Sequence, residues 1–168
     1  MKVVDKSLIA IVVGVLLLVA VAFVAVLRRA PPTYEAENSA ANVAHNYLFA
    51  LQQRDYARAY GYLSPSLKGH PTSVEQFAED IRNNGYSFSL TTDDSIALEI
   101  ESSRPLGVPA GTEAVLVRET RFSTGGLFGN SQYSSTFEMQ LQREDGAWKI
   151  VASEQYFLRC WTDKAGCK

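Results

Sequence analysis

Residues Asn42–Lys68 read NVAHNYLFALQQRDYARAYGYLSPSLK, and this stretch decides the fold. Val43, Tyr47, Leu48 and Leu51, with Ala44 beside them, recur at helical spacing and predict one apolar stripe on a helix from about Ser39 to Gln53. His45, Asn46 and Gln52 fall toward the other side. Asp55 is placed to accept the orphan amides of a second helix, on which Tyr56, Ala59, Tyr60 and Leu63 repeat at i, i+3, i+4 and i+7. Ser64-Pro65 ends that helix, because the residue before a proline is pushed out of the helical region.

Downstream, Ser73 and Gln76 form a capping-box pattern for a third helix. Its buried face is Val74, Phe77, Ala78 and Ile81, and Asn84-Gly85 supplies a left-handed stop. The period then changes to two. Tyr86, Phe88 and Leu90 alternate with polar residues, as do Phe137, Met139 and Leu141, while Ile96, Leu98 and Ile100 alternate with Ala97, Glu99 and Glu101. Such alternation marks an antiparallel sheet with one covered face. Strands at about Glu113–Ser123 and Ala147–Leu158 complete the set, with Asp145-Gly146 as a tight hairpin turn before the last. Three helices followed by strands is an α+β order rather than a parallel α/β one.

Upstream, Leu8–Leu27 is a run of twenty residues without a charge. At about 1.5 Å per residue it spans roughly 30 Å, the hydrocarbon thickness of a bilayer. A cleaved signal peptide is the alternative, with Ala20-Val21-Ala22 as a small-x-small site. The apolar run continues past that site to Leu27, so we read an uncleaved single-pass signal anchor. Pro31 and Pro32 break this helix, and a polar linker runs over 30–38. The expected organisation is therefore an anchor over 1–29, the linker, an α+β domain over 39–158 and a tail over 159–168.

Residues 30–168 carry four Lys and eight Arg against seventeen acids, a formal balance of −5. With no basic run, this argues against nucleic acid as a partner. Cys160 and Cys167 are the two cysteines, and with two scattered histidines they do not make a metal-ligand set. They pair as a disulfide or remain thiols. A disulfide would stabilise by roughly 2–3 kcal/mol in the chain-entropy model and would persist in an oxidising compartment. Lys2 and Lys6 at one end of the anchor nearly balance Arg28 and Arg29 at the other. The cysteines therefore favour a domain on the extracytoplasmic side of a cell membrane.

The pattern A-x2-Y-L-x-A-L-x3-D-Y-x2-A-Y-x2-L from Ala44 to Leu63 precedes a Ser-Pro turn and a capped third helix. A hairpin sheet ending in Gly-x-Trp-Lys-Ile follows. Together, over about Ser39 to Leu158, these resemble the nuclear transport factor 2-like (ketosteroid isomerase-like, SnoaL-like) superfamily, and most of all its membrane-anchored bacterial members of unknown function. The resemblance implies a cystatin-like cone of three helices packed on a curved antiparallel sheet, with a pocket at the open end. In that superfamily the pocket serves isomerases and dehydratases, and also non-catalytic ligand-binding and dimerising domains, so fold does not settle function.

Enzymes of this kind use titratable groups in an apolar cone. Tyr47 lies on the buried stripe, as a pocket group or as a core aromatic with a polar handle. His45 falls on the opposite side of the same helix, and His70 precedes Pro71 in a loop. Taking Trp148, Ile150, Tyr156 and Leu158 as inward makes Trp148 and Tyr156 pocket candidates and places Glu154 inward, unless a bulge near Ser153 re-aims it. Leu116 and Phe122 share a face with Arg118, so either Arg118 and Glu154 pair or line a wet pocket, or the other face of the strands is the covered one. Val115, Val117 and Val151 then make an outer face suited to a homodimer. Leu127 and Phe128, between glycines at a hairpin tip, are candidates for contact with a protein partner or the membrane surface. No Ser-His-Asp order, Walker pattern or zinc spacing occurs, and no cofactor is expected. The first reading is a membrane-anchored, non-catalytic module binding a small apolar ligand or a protein. The alternative is an isomerase or dehydratase with acid–base groups in the cone.

Overall fold

The computed structural model describes residues 11–19, 33–88, 95–125 and 129–167, and the chain divides into two units, Met1–Thr33 and Tyr34–Lys168. In the first unit residues 11–19 form an exposed helix, α1. Among the described residues no helix is long and apolar enough to cross a membrane. The rest of Leu8–Leu27, and with it the expected anchor, lies outside the described residues. Leu127 and Phe128 lie outside them too.

The second unit opens with α2 (Ala40–Gln52), α3 (Tyr56–Tyr62) and α4 (Val74–Asn83). Their starts are local chemistry. The side chains of Ser39, Asp55 and Ser73 each accept the backbone amide three residues on, from Asn42, Arg58 and Gln76. Gln76 reaches back to the Thr72 amide at 2.9 Å, one residue earlier than a regular capping box. Between α2 and α3, Arg54 adopts φ 58°, and the amides of Arg54 and Asp55 return to the carbonyls of Leu51 and Ala50. That is a Schellman closure with arginine where glycine is usual. One residue, Asp55, thus ends one helix and caps the next.

A single sheet follows in the order β1 (Ser95–Pro105), β2 (Thr112–Gly125), β3 (Gly129–Glu144), β4 (Ala147–Ser153), antiparallel throughout. Asp145 and Gly146 both take positive φ, 48° and 88°, which matches the twist of a tight β3–β4 hairpin. The α2 stripe of Val43, Tyr47, Leu48 and Leu51 packs on Val115, Val117, Phe137, Met139, Leu141 and Ile150, and all are buried.

Several expectations are corrected. The alternation from Tyr86 does not make a strand through Phe88. Asn84 closes α4 at φ −118°, not as a left-handed stop, and Gly85–Phe88 form one more helical turn, α5. This turn drops Phe88 into the core beside Trp161 and leaves Tyr86 97% exposed. On β2 the covered face carries Val115, Val117 and Glu119, so Arg118 points outward with its ion pair to Glu101. The valines assigned to an outer dimer face are therefore core at Val115 and Val117, and Val151 is half-buried. The period of two was right but its phase was not. Both faces of β2 hold large apolar residues, and only the helices decide which one is covered.

Residues outside 39–158 also belong to the folded body. Asn46, expected to face away, is fully buried, and its amide holds the Glu35 backbone at both N–H (2.7 Å) and C=O (2.9 Å). Tyr34 stacks edge-on to Phe49 and lies 3.5 Å beneath the Arg58 guanidinium. At the other end a disulfide joins Cys160 and Cys167. Trp161, inside that loop, has no exposed surface and packs against Phe77, Phe88 and Phe157, while its indole N–H donates to Asp80 at 2.9 Å. The tail is a core element.

Candidate functional site

The site is built around the residues that follow β4. A bulge at Val151 breaks the β3–β4 register, with Ile150 opposite Leu141 but Ala152 opposite Gln140. The strand then ends, and Tyr156 turns the chain with φ 56°. For a residue with a side chain this conformation costs about 1–3 kcal/mol and needs external support. Three hydrogen bonds supply it. The Tyr156 amide donates to the Ser87 carbonyl at 3.3 Å, and its carbonyl accepts the Tyr47 hydroxyl at 2.6 Å. Its own hydroxyl donates to Glu119 Oε2 at 3.1 Å.

Glu119 is a carboxylate in a nearly closed position, 2% exposed. Such a charge is tolerated only when paired and hydrogen-bonded. Here Arg121 Nε donates to Oε1 while Tyr156 holds Oε2. Burial raises the pKa of Tyr47 far above the usual phenol range. Burial also raises that of Tyr156, and the Glu119 charge and hydrogen bond add to this while Arg121 opposes it. Both phenols therefore stay protonated and act as donors.

Beyond the edge of the helical cover, the covered face of β2 and β3 continues as Glu119, Arg121, Tyr133 and Ser135, which pair across the strands. These residues, with Tyr86, Glu154 and Phe157, surround an open cleft of about 460 Å³. Glu154 is exposed at its rim, the outward placement that the bulge alternative gives rather than the inward one. The bulge turns it aside, and its carboxylate accepts the Glu138 amide at 3.0 Å, an edge amide that β4 no longer reaches.

Of the five residues proposed for a pocket, Glu154 alone lines this cleft, and Tyr156 and Tyr47 connect to it through hydrogen bonds. Arg118 lies on the opposite face of the sheet. Trp148 is half-buried in a separate recess of about 250 Å³ beside Glu37, Arg58 and Tyr62. His45 stacks on Phe49, and His70 tilts against Tyr60 with ring centroids 5.0 Å apart. Among the described residues no group of three or more His, Cys, Asp or Glu is placed to hold a metal ion. The sequence reading missed Glu119 and Arg121. Their signal was the every-second-residue series Val115, Val117, Glu119, Arg121, with the valines rather than Leu116 taken as inward.

No family model matches the sequence, and no curated protein matches it. Among solved structures the chain is similar to an NTF-2-like protein of unknown function from Shewanella oneidensis. That match has 13% identity and TM-score 0.43 and covers 66% of this chain and 90% of that one. It is also similar to a ketosteroid isomerase-like protein from Erwinia carotovora atroseptica, with 15% identity, TM-score 0.41 and coverage of 66% and 87%. The beta subunit of the benzoate 1,2-dioxygenase from Burkholderia mallei matches with 12% identity, TM-score 0.41 and coverage of 71% and 92%. Likenesses of this size carry no argument about function.

Proposed function

We propose that this chain is a non-catalytic binding domain, held by Leu8–Leu27 at a cell membrane with its α+β body on the extracytoplasmic side. Its cleft beside Glu119 takes a small, partly apolar ligand. The observation that carries this reading is that both oxygens of Glu119 are engaged by this chain's own donors. Both carboxylate oxygens already accept from Arg121 and Tyr156, and the phenols below are buried and protonated. A general base must reach the proton it abstracts, whereas these groups are spent on holding one another. The exposed rings of Tyr86 and Tyr133 at the opening offer apolar contact, and Ser135 and Glu154 offer polar contact.

The isomerase or dehydratase alternative is favoured by one observation, the nearly buried carboxylate of Glu119 at the floor of an open cleft. Titration of the full chain in phosphatidylcholine nanodiscs with toluene and with benzoate tests the binding reading. That reading expects saturable amide shifts confined to Ser87, Ser135 and Gln155. Absence of shifts there overturns it. Placement is checked in intact cells, where Cys160 and Cys167 should react with an impermeant maleimide only after an impermeant reductant. Labelling that needs cell lysis refutes the extracytoplasmic assignment.

A further inference from the structure

A second cleft, of about 650 Å³, lies where Lys68 meets the disulfide-closed tail, lined by Lys68, Arg159, Cys160, Thr162, Asp163 and Lys164. Its charge is unusual for this protein. The other basic side chains near acids are paired, as in Arg58–Glu37, Arg104–Glu138, Arg118–Glu101 and Arg121–Glu119. Lys149 and Arg143 are occupied by backbone carbonyls of Gly61 and Gly146. Lys68, Arg159 and Lys164 have neither kind of partner among the described residues, and all three line this one cleft. Arg54 and Arg82, the remaining described cations without such a partner, do not line it.

The backbone that carries these cations is fixed. The Gly69 amide donates to the Trp161 carbonyl at 2.9 Å, Trp161 is buried, and the Cys160–Cys167 bond closes the loop behind it. Gly69 lies so close to the tail that an added Cβ would fall 2.3 Å from the carbonyl oxygens of Cys160 and Asp163. Within the loop, the amides of Asp163 and Gly166 return to Cys160 and Asp163. Charges mounted on a braced backbone lose less freedom on meeting a ligand.

We propose that this cleft is an anion site for a phosphoryl group. Three cations against the single carboxylate of Asp163 leave two positive charges, which match the charge of about −1.5 to −2 on a phosphate monoester better than one carboxylate. Arg159 supplies a planar fork of donors, and the lysines supply point charges that turn to suit phosphate oxygens. The volume exceeds that of inorganic phosphate and accommodates a small phosphorylated molecule or a lipid headgroup.

The test uses full-length protein in phosphatidylcholine nanodiscs, titrated with inorganic phosphate and with chloride at matched ionic strength. Amide shifts at Gly69, Arg159 and Lys164 report on the site. Phosphate is expected to saturate these shifts where chloride does not. R159E and K164Q should each weaken phosphate at least tenfold, and R54E should leave it unchanged. Glycerol 3-phosphate and phosphatidic acid vesicles, both phosphate monoesters, then separate the sources. Competition by the first alone assigns a soluble ligand, and competition by the vesicles assigns a headgroup. Equal response to phosphate and chloride overturns the proposal, as does an R159E protein, with its disulfide formed, that titrates like the parent.

Discussion

Removing the Trp161 indole should cost this domain most of its stability. The ring is fully buried among Phe77, Phe88 and Phe157, with centroids 5.2, 6.0 and 5.1 Å away. A Trp→Ala change at such a site costs about 3–5 kcal/mol in lost transfer and residual cavity. It also strands the Asp80 carboxylate, only 7% exposed, whose Oδ2 accepts the indole N–H. An orphaned buried acceptor adds about 1–3 kcal/mol. The sum, about 4–8 kcal/mol, rivals the whole stability of an ordinary domain, about 5–15 kcal/mol, so W161A should not hold its fold. W161F is the measurable variant, because it keeps an aromatic ring in the cluster and removes the donor. Urea unfolding followed by circular dichroism should give a loss of about 2–4 kcal/mol with unchanged m. In the D80A/W161F cycle the two losses should fall short of additivity by about 1 kcal/mol or more. A W161A protein that unfolds cooperatively within about 1 kcal/mol of the parent would refute the reasoning.

Two further outcomes follow from the same packing. Gly69→Ala must push the Cys160 and Asp163 carbonyls away from a Cβ that would sit 2.3 Å from each. Backbone cannot yield as a flexible side chain does, so G69A should lower the urea midpoint and raise amide exchange at Trp161. Unchanged exchange there would be the contrary result. In alkali, the raised pKa values of Tyr47 and Tyr156 mean that the unfolded chain releases their protons first. Their contribution is fully present below the ordinary phenol pKa near 10 and is lost above it, at up to about 1.4 kcal/mol per pH unit for each phenol. Stability of Y47F should fall less steeply than that of the parent between roughly pH 10 and 11.5. Parallel curves would count against the burial argument.

The local features were legible in the sequence because each is made by neighbours along the chain. Ser39, Asp55 and Ser73 cap helices through amides three residues away, and Asp145-Gly146 turns a hairpin by its own backbone angles. The α2 stripe was legible for the same reason, since helical spacing alone puts Val43, Tyr47, Leu48 and Leu51 on one side. The candidate site was not. Period two fixes which residues share a face of β2, but Val115-Val117-Glu119 and Leu116-Arg118-Phe122 are both plausible inward sets by composition. Packing of α2 chose the first, which buried Glu119 and turned Arg118 out to Glu101. Glu154 was settled by a one-residue bulge at Val151 that depends on pairing with β3. The tail is the clearest case. Its cysteines announced a disulfide, yet only contacts with Phe77, Asp80 and Gly69, some eighty to ninety positions upstream, place Trp161 in the core. Sequence determines what a residue's near neighbours can do, and burial of a distant partner is decided only when the whole chain has closed around it.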